Sequence, residues 1–456
     1  MNSKINKLPA FLVLLLCSVA LSAAEKISLQ QAIDLATQHD PRVDEKKAFV
    51  RKAEGLLQEA EGSAGLRFSV DSFLALTTGV DGGFFEDGAE SCSNNCRPRD
   101  DIYGFDDGFS LWGGLTFSII KPLATFGRLE NYEQAAQQNI VIKQQDVELQ
   151  RDAIRLDVVR AYYGYLTARD SRFLLEDTRE RLSSALELVS EWLEDGSGTA
   201  SQTDRFALQA GLGLIDNFLA EARGVEAIAM EGLKLLTGKD DDIIELADSR
   251  LTPLPLPATS LQEWIDLARA NRVEFKQVEA GLVARRALVE ATRANKKPIV
   301  FAGVAGSLAY APGRDTLDNP HVYDPFNHVG ISPLIGMRWQ WEQGAQPARV
   351  AQAQAEYDAL VHKASFARAG IPFQVREQYF TMQAKYQSIQ SMQSSAKAGR
   401  RWMIAAYTDF EAGLGEADKI LTAMQVYVLA YAEYLRAVND FNNHLSKLKS
   451  VSGVLE

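Results

Sequence analysis

Beyond residue 24 the sequence contains no run of about 18 apolar residues, the length that a membrane-crossing helix needs. A bundle of spanning helices is thereby excluded. A membrane barrel is not, because barrel strands of roughly 9 to 11 residues alternate in polarity and leave no long apolar run. Excess positive charge is also lacking. The formal net charge is −12, which argues against nucleic acid as a partner and suits a solvated exported protein. Of the five histidines only His321 and His328 are close in sequence, in a polar loop that reads as surface rather than as a metal site. No pair of carboxylates stands out as acid and base. The GLG at Gly211 falls inside a helical stretch, so it is no phosphate loop. The sequence implies no cofactor, no metal and no catalytic centre.

Cysteine is nearly absent as well. Cys17 follows Leu16, where lipidation would need a small residue, and it lies in a stretch that reads as a secretory signal peptide (1–24). That stretch has Lys4 and Lys7, an apolar segment from Leu8 to Leu16 and small residues at Ser22 and Ala24, with cleavage before Glu25. Cys92 and Cys96 remain, in a polar, acidic loop. In an exported protein they are disulfide candidates, free thiols being the alternative, and two ligands are too few for a zinc site.

What is present is a repeat. SLQQAIDLA from Ser28 returns as SLQEWIDLA from Ser260, identical at seven of nine positions. The same offset of 232 carries Leu56 onto Leu288 and Leu66 onto Pro298. An offset of 217 then carries Ile154, Val158 and Tyr162 onto Ile371, Val375 and Tyr379. The 15-residue difference is placed in the loop around residues 81–108. The expected organisation is a first repeat over 25–237, an acidic, proline-spaced linker over 238–259, and a second repeat over 260–456.

Each repeat opens with a helix. Over 28–62, Leu29, Ala32, Ile33 and Ala36 recur at helical spacing, Ser28 can cap, and Pro41 interrupts or restarts the helix. The period then changes to two. Leu66, Phe68, Val70, Leu74 and Leu76 alternate with mostly small or polar residues, and Phe109, Leu111, Leu115, Phe117 and Ile119 alternate with Ser110, Gly114, Thr116 and Ser118. These are strands with one wet face, forming a hairpin over 66–121. The second repeat supplies another over 298–342, in which Val329, Ile331, Ile335, Met337, Trp339 and Trp341 share a face. Trp339, Trp341, Trp112, Tyr103 and Tyr310 could form an interfacial girdle; a soluble sandwich would alternate equally well.

Long helices follow each hairpin, over 128–195 and 345–412. The first has no proline in 68 residues, and at about 1.5 Å per residue it would reach roughly 100 Å, beyond any ordinary globular helix. Spaced apolar positions such as Val147, Ile154, Val158 and Leu166 suit coiled-coil-like packing. Tyr162, Tyr163 and Tyr165 read as core between helices, and Pro372 should kink the second helix. Gly-rich turns at Gly196 and Gly413 lead to return helices. Four strands cannot close a barrel, and open edges in hydrocarbon leave backbone groups unpaired at several kcal/mol each. Their edges must therefore meet other copies.

The two openings, the Pro-Leu-x-x-x-Gly-Arg step from Pro122 to Arg128, the tyrosine near the middle of each long helix and the Gly-turn-Asp tips resemble the TolC-like outer-membrane efflux proteins across the mature chain. The resemblance implies an α+β membrane protein with an internal two-fold repeat. It would be a homotrimer whose twelve strands, four per chain, form one outer-membrane β-barrel continuous with a long α-helical periplasmic tunnel. It implies a passive exit duct of a tripartite efflux pump or type I secretion system. The partners would be outer-membrane lipid, a periplasmic adaptor (membrane fusion) protein and an inner-membrane transporter of the RND, ABC or MFS type. A periplasmic coiled-coil adaptor or scaffold is the alternative, and an exported enzyme is a weaker one.

The resemblance also places a gate at the periplasmic helix tips. Gly198, Ser201 and Asp204 keep the family's first-tip spacing. At the second tip Phe410 replaces a tyrosine, Gly413 is kept, and Lys419 and Thr422 stand where acidic residues are expected. Lys419 is moderated by Glu411, Glu416 and Asp418. It either forms a ring of positive charge by symmetry, pairs with Asp204, or is a solvated turn residue.

Overall fold

β1 (Glu25–Ile27) leads into α1 (Leu29–His39), whose start is a reciprocal cap. The Ser28 hydroxyl accepts from the Gln31 amide at 3.3 Å, and the Gln31 side chain accepts from the Ser28 amide at 2.9 Å. α2 (Pro41–Gly62) follows after a break at Asp40, with Pro41 at the first helical position, where its missing N–H costs nothing. The computed structural model describes residues 25–80, 97, 108–196, 200–239, 244–316, 321 and 323–454. The signal peptide over 1–24, Cys92, Cys96, Tyr103 and Gly198 lie outside the described residues.

The chain continues through β2 (Arg67–Thr78), β3 (Phe109–Ala124), α3 (Arg128–Asp195), α4 (Gln202–Thr237) and β4 (Ile244–Leu246). Then come α5 (Leu261–Asn271), α6 (Val273–Ala294), β5 (Ile299–Tyr310), β6 (His328–Arg338), α7 (Ala345–Glu411) and α8 (Ala417–Val451). The kinds of element between β1 and β4 thus recur in the same order after β4. Ser260 caps α5 as Ser28 caps α1, with Glu263 in place of Gln31. The break after α5 falls at Arg272 with almost the backbone angles of Asp40, φ −66° and ψ 126° against φ −67° and ψ 121°. Val273 follows Arg272 where Pro41 follows Asp40, so proline is not what breaks the helix. At Arg272 the guanidinium spans the Glu274 carboxylate at 2.8 and 2.9 Å and donates to the Val451 carbonyl at 3.1 Å.

The described residues form two compact units, one drawn from 25–40, 151–259 and 377–450, the other from 41–150, 260–376 and 451–454. In the first, β1 pairs in parallel with β4. The linker therefore carries a short strand that its acidic composition does not announce. Beyond that strand the linker is clasped by helix side chains. Tyr162 donates to Asp248 at 2.7 Å, Asp170 accepts from the Leu251 amide at 2.9 Å, and Asn442 both accepts from the Leu254 amide and donates to the Thr252 carbonyl at 2.9 Å. Burial and the Asp248 charge push the Tyr163 hydroxyl up to about 12.

The second unit holds a four-stranded antiparallel sheet in the order β2-β3-β5-β6. β3 shifts register between Pro122 and Ala124, where proline has no N–H to give the ladder. The chain then turns into α3 through Phe126 and Gly127 at φ 52° and 89°, the left-handed region that the glycine of the Pro122–Arg128 motif adopts freely. β6 ends at Arg338 because its partner β5 begins at Ile299. Trp339 and Trp341 therefore lie beyond the strand rather than in it, and the Trp339 indole donates to the Lys296 carbonyl at 3.1 Å. Pro372 sits inside α7 without ending it.

Candidate functional site

The sheet separates its side chains with little mixing. Residues in register across the four strands put Phe68, Val70, Leu74 and Leu76 of β2 beside Leu111, Leu115, Phe117 and Ile119 of β3. Leu308 and Val304 of β5 follow, then Val329, Ile331, Ile335 and Met337 of β6. This face is uncovered: Leu74 is 76% exposed and Ile335 80%. Contiguous apolar exposure on this scale marks a surface made for lipid or another protein. The opposite face is a belt of hydroxyls. Ser69 and Ser118 share a hydrogen bond at 2.8 Å, Asp71 stands opposite Thr116, Thr116 opposite Ser307, and Ser307 bonds His328 at 3.0 Å. Ser69, Asp71, Thr116, Ser118, Ser307 and Ser332 line a shallow hollow there. β2 and β6 are the sheet's two edges, and an unpaired edge is a template for another chain.

Trp112 does not join the girdle that its indole suggests. It lies opposite Ala75, in the row of Ser110 and Thr116 on the polar face, because strand parity, not side-chain type, decides the side. There it packs edge-on to Phe73 at 4.6 Å and against Phe326 at 4.9 Å. Tyr310, opposite Gly113, is on the apolar face.

At the tips of the helix pairs, Ser201 caps α4 reciprocally with Asp204: its amide and hydroxyl donate to the carboxylate at 2.8 and 2.6 Å, and the Asp204 amide donates back at 3.3 Å. Asp204 is thus engaged within its own turn, and Lys419 does not pair with it. Lys419 instead reaches Glu416 at 3.9 Å, both side chains being well exposed. Gly413 ends α7 with φ 74°; its amide and that of Leu414 close the turn on the Phe410 and Asp409 carbonyls at 2.9 Å. The Thr422 hydroxyl is spent on the Asp418 carbonyl at 2.9 Å. Phe410 is 2% exposed, its ring 5.2 Å from Trp192, in a core with Val189, Leu208 and Ile420. Its place is packing beneath the turn. Ser201, Asp204, Glu416, Lys419 and Thr422 thus mark the polar surface of the tip and Phe410 its core.

Other residues were not singled out by sequence. Arg172 of α3 donates to Glu226 of α4 at 2.6 Å and to Glu176 on its own helix at 3.0 Å, and Arg223 of α4 reaches Glu176 at 3.0 Å, so two ion pairs join the helices. The four-residue spacing of Arg172 and Glu176 was visible in the chain; the partners on α4 were not. Among the described residues no helix is long and apolar enough to cross a membrane, and no group of three or more potential ligands is placed to hold a metal.

No family model matches the chain. It is 23% identical to the alkaline protease secretion protein AprF of Pseudomonas aeruginosa over 343 residues, 75% of this chain and 69% of that protein. It is 25% identical to the protein CyaE of Bordetella pertussis over 311 residues, 66% of this chain and 62% of that protein. Among solved structures, the outer membrane protein VceC of Vibrio cholerae superimposes with a TM-score of 0.72 at 14% identity, covering 93% of this chain and 96% of that one. The fold is that of TolC-like outer-membrane channels, as the sequence resemblance implied, with helix and sheet mixed in one chain. Other solved structures of the same fold are outer-membrane channels by name.

Proposed function

We propose that this chain, folded as a TolC-like outer-membrane channel, is the outer-membrane exit duct of an export system, acting as a homotrimer. The observation that carries the reading is the sheet: an uncovered apolar face, a hydroxyl-lined opposite face, and two unpaired edges. Pairing β2 of one copy with β6 of the next satisfies the edges, turns the apolar face to outer-membrane lipid and encloses the polar face around a water-filled lumen. Three copies give twelve strands, four from each. Residues 25–237 and 260–456 act as two structural repeats joined by 238–259, each adding a hairpin and a long helix. Exposed Leu214, Phe218, Val225, Ile228 and Leu235 recur along α4 at coiled-coil steps, which supports a helix of another copy against them.

A duct of this kind works downhill, with a periplasmic adaptor and an inner-membrane transporter supplying selection and energy. The likeness to a protein named for alkaline protease secretion favours a polypeptide cargo over small molecules. A coiled-coil adaptor would account for the helices and leave the sheet without a purpose. At the tip, three copies of Lys419 bring positive charge to the entrance, each moderated by its Glu416. The test is fractionation of cells making the full chain. The reading expects the protein in outer membranes as a trimer that resists detergent until heated. A soluble monomer would overturn it.

A further inference from the structure

A tryptophan on the wet face of a barrel strand asks for a reason, and the chain beyond β5 gives one. Residues 311–316 and 323–327, on the two sides of the connection to β6, lie over the polar face instead of continuing away from it. The Gly313 amide donates to the Ser110 hydroxyl at 2.8 Å, and Ser110 and Ala309, both polar-face positions, are buried. Val80, just past β2, joins the same layer: its amide donates to the Gly313 carbonyl, and its carbonyl accepts from the Asp315 amide, both at 3.0 Å. Asn327 ties the two ends of the connection by accepting from the Ala311 amide at 2.8 Å and donating to the Arg314 carbonyl at 3.1 Å.

Arg314 sits at the centre of this layer. Its guanidinium donates to the Thr78 carbonyl and hydroxyl at 2.8 and 3.1 Å and lies 3.9 Å from the Phe326 ring centre. Phe326 rests on Trp112, and Trp112 on Phe73. Asp324 holds Phe326 in place, accepting from its amide at 2.8 Å and from that of Asn327 at 3.1 Å. A cation stacked on a ring and bonded on its edges is rigid. Below this stack, in the rows of Asp71 and Ser69, the polar face carries small side chains: the Asp71 carboxylate, with hydroxyls, glycine and alanine beside it.

We infer that Arg314 and Phe326, braced on Trp112 and Phe73, form an inward rim that narrows the loop end of the lumen and limits the size of what leaves it. The inference rests on the barrel reading, since only a closed barrel makes the polar face a lumen; threefold symmetry then sets three such rims around one opening. The rim restricts by volume and rigidity, while the hydroxyl belt behind it stays wide.

The test is single-channel recording of the full-length trimer in planar bilayers, with neutral polymers of graded size added on the loop side. Arg314→Ala and Phe326→Ala should raise conductance and admit polymers that the parent excludes from that side, with exclusion from the tip side unchanged. If Arg314→Ala yields no trimer, Phe326→Ala carries the test, because it removes ring volume from the rim and leaves the Arg314 bonds to Thr78 in place. Trimers with unchanged conductance and unchanged exclusion would overturn the rim, leaving Arg314 as a brace for the hairpin. A parent protein that opens no pore at all would overturn the duct reading itself, and the rim with it.

Discussion

Tyr162 of α3 donates a 2.7 Å hydrogen bond to Asp248 of the linker, 86 positions later in the chain, and is itself fully buried. Burial first, then the bond to the carboxylate and its charge, raise the Tyr162 pKa, so the hydroxyl stays protonated and keeps donating at any physiological pH. Tyr162→Phe retains the packed ring and removes the donor, leaving an exposed carboxylate that water can solvate. The expected loss is about 1 kcal/mol, read as a lower denaturant midpoint. Tyr162→Ala should lose about 3 kcal/mol or more, because it also opens a cavity.

The reciprocal caps at Ser28 and Ser260, which open α1 and α5, predict matched losses. Ser28→Ala and Ser260→Ala should each cost about 1 kcal/mol, and the double variant should lose the sum, since each cap is confined to its own helix start. Unfolding curves of the two single variants and the double variant check this; losses well short of additive would mean that the caps are coupled.

Asp170 predicts a pH effect. Burial raises its pKa from the ordinary 3.8, against the bond from the Leu251 amide. The folded protein therefore holds this proton more tightly than the unfolded chain. Stability contributed at Asp170 is full below pH 3.8 and is lost as pH rises from 3.8 through the raised folded value. Asp170→Asn keeps an acceptor for Leu251 and abolishes the titration, so the variant should gain on the parent as pH rises through that window. Asp170→Ala removes the acceptor as well and should lose about 1 to 3 kcal/mol at neutral pH. Paired unfolding curves from acid to neutral pH measure the difference.

The sheet predicts an asymmetry between its faces. Val70→Arg places a charge on the apolar face and should cost about 2 to 4 kcal/mol if it falls near the bilayer midplane. Ser332→Arg, on the hydroxyl face, should assemble normally. The amount of heat-sensitive trimer in outer membranes compares the two, and equal yields would contradict the lipid-facing assignment.

Lys419 predicts an electrical effect. With Glu416 its near neighbour and Asp204 engaged by Ser201, Lys419→Asp changes the sign of the tip without breaking a cap. Single-channel recordings should show selectivity moving toward cations or an altered open probability. If both stay as in the parent, Lys419 is a solvated turn residue.

Features that depend on neighbours along the chain were legible in the order of residues. Serine three residues before Gln31 or Glu263 dictates a capped helix start; alternation from Phe68 and from Phe109 dictates two-faced strands; the proline-free stretch into Asp195 permits one unbroken helix. Each follows from a local period or cap, which the order of residues records directly. Which distant residues share a place emerged only in the folded chain: Arg172 with Glu226, Asp170 with Leu251, Asp204 with its own turn rather than with Lys419, and Trp112 with Phe326 and Arg314. Even the side taken by Trp112, fixed by strand parity, gained its meaning only when Phe326 packed against it. Such contacts depend on how the chain returns on itself, and no period in the sequence encodes that return.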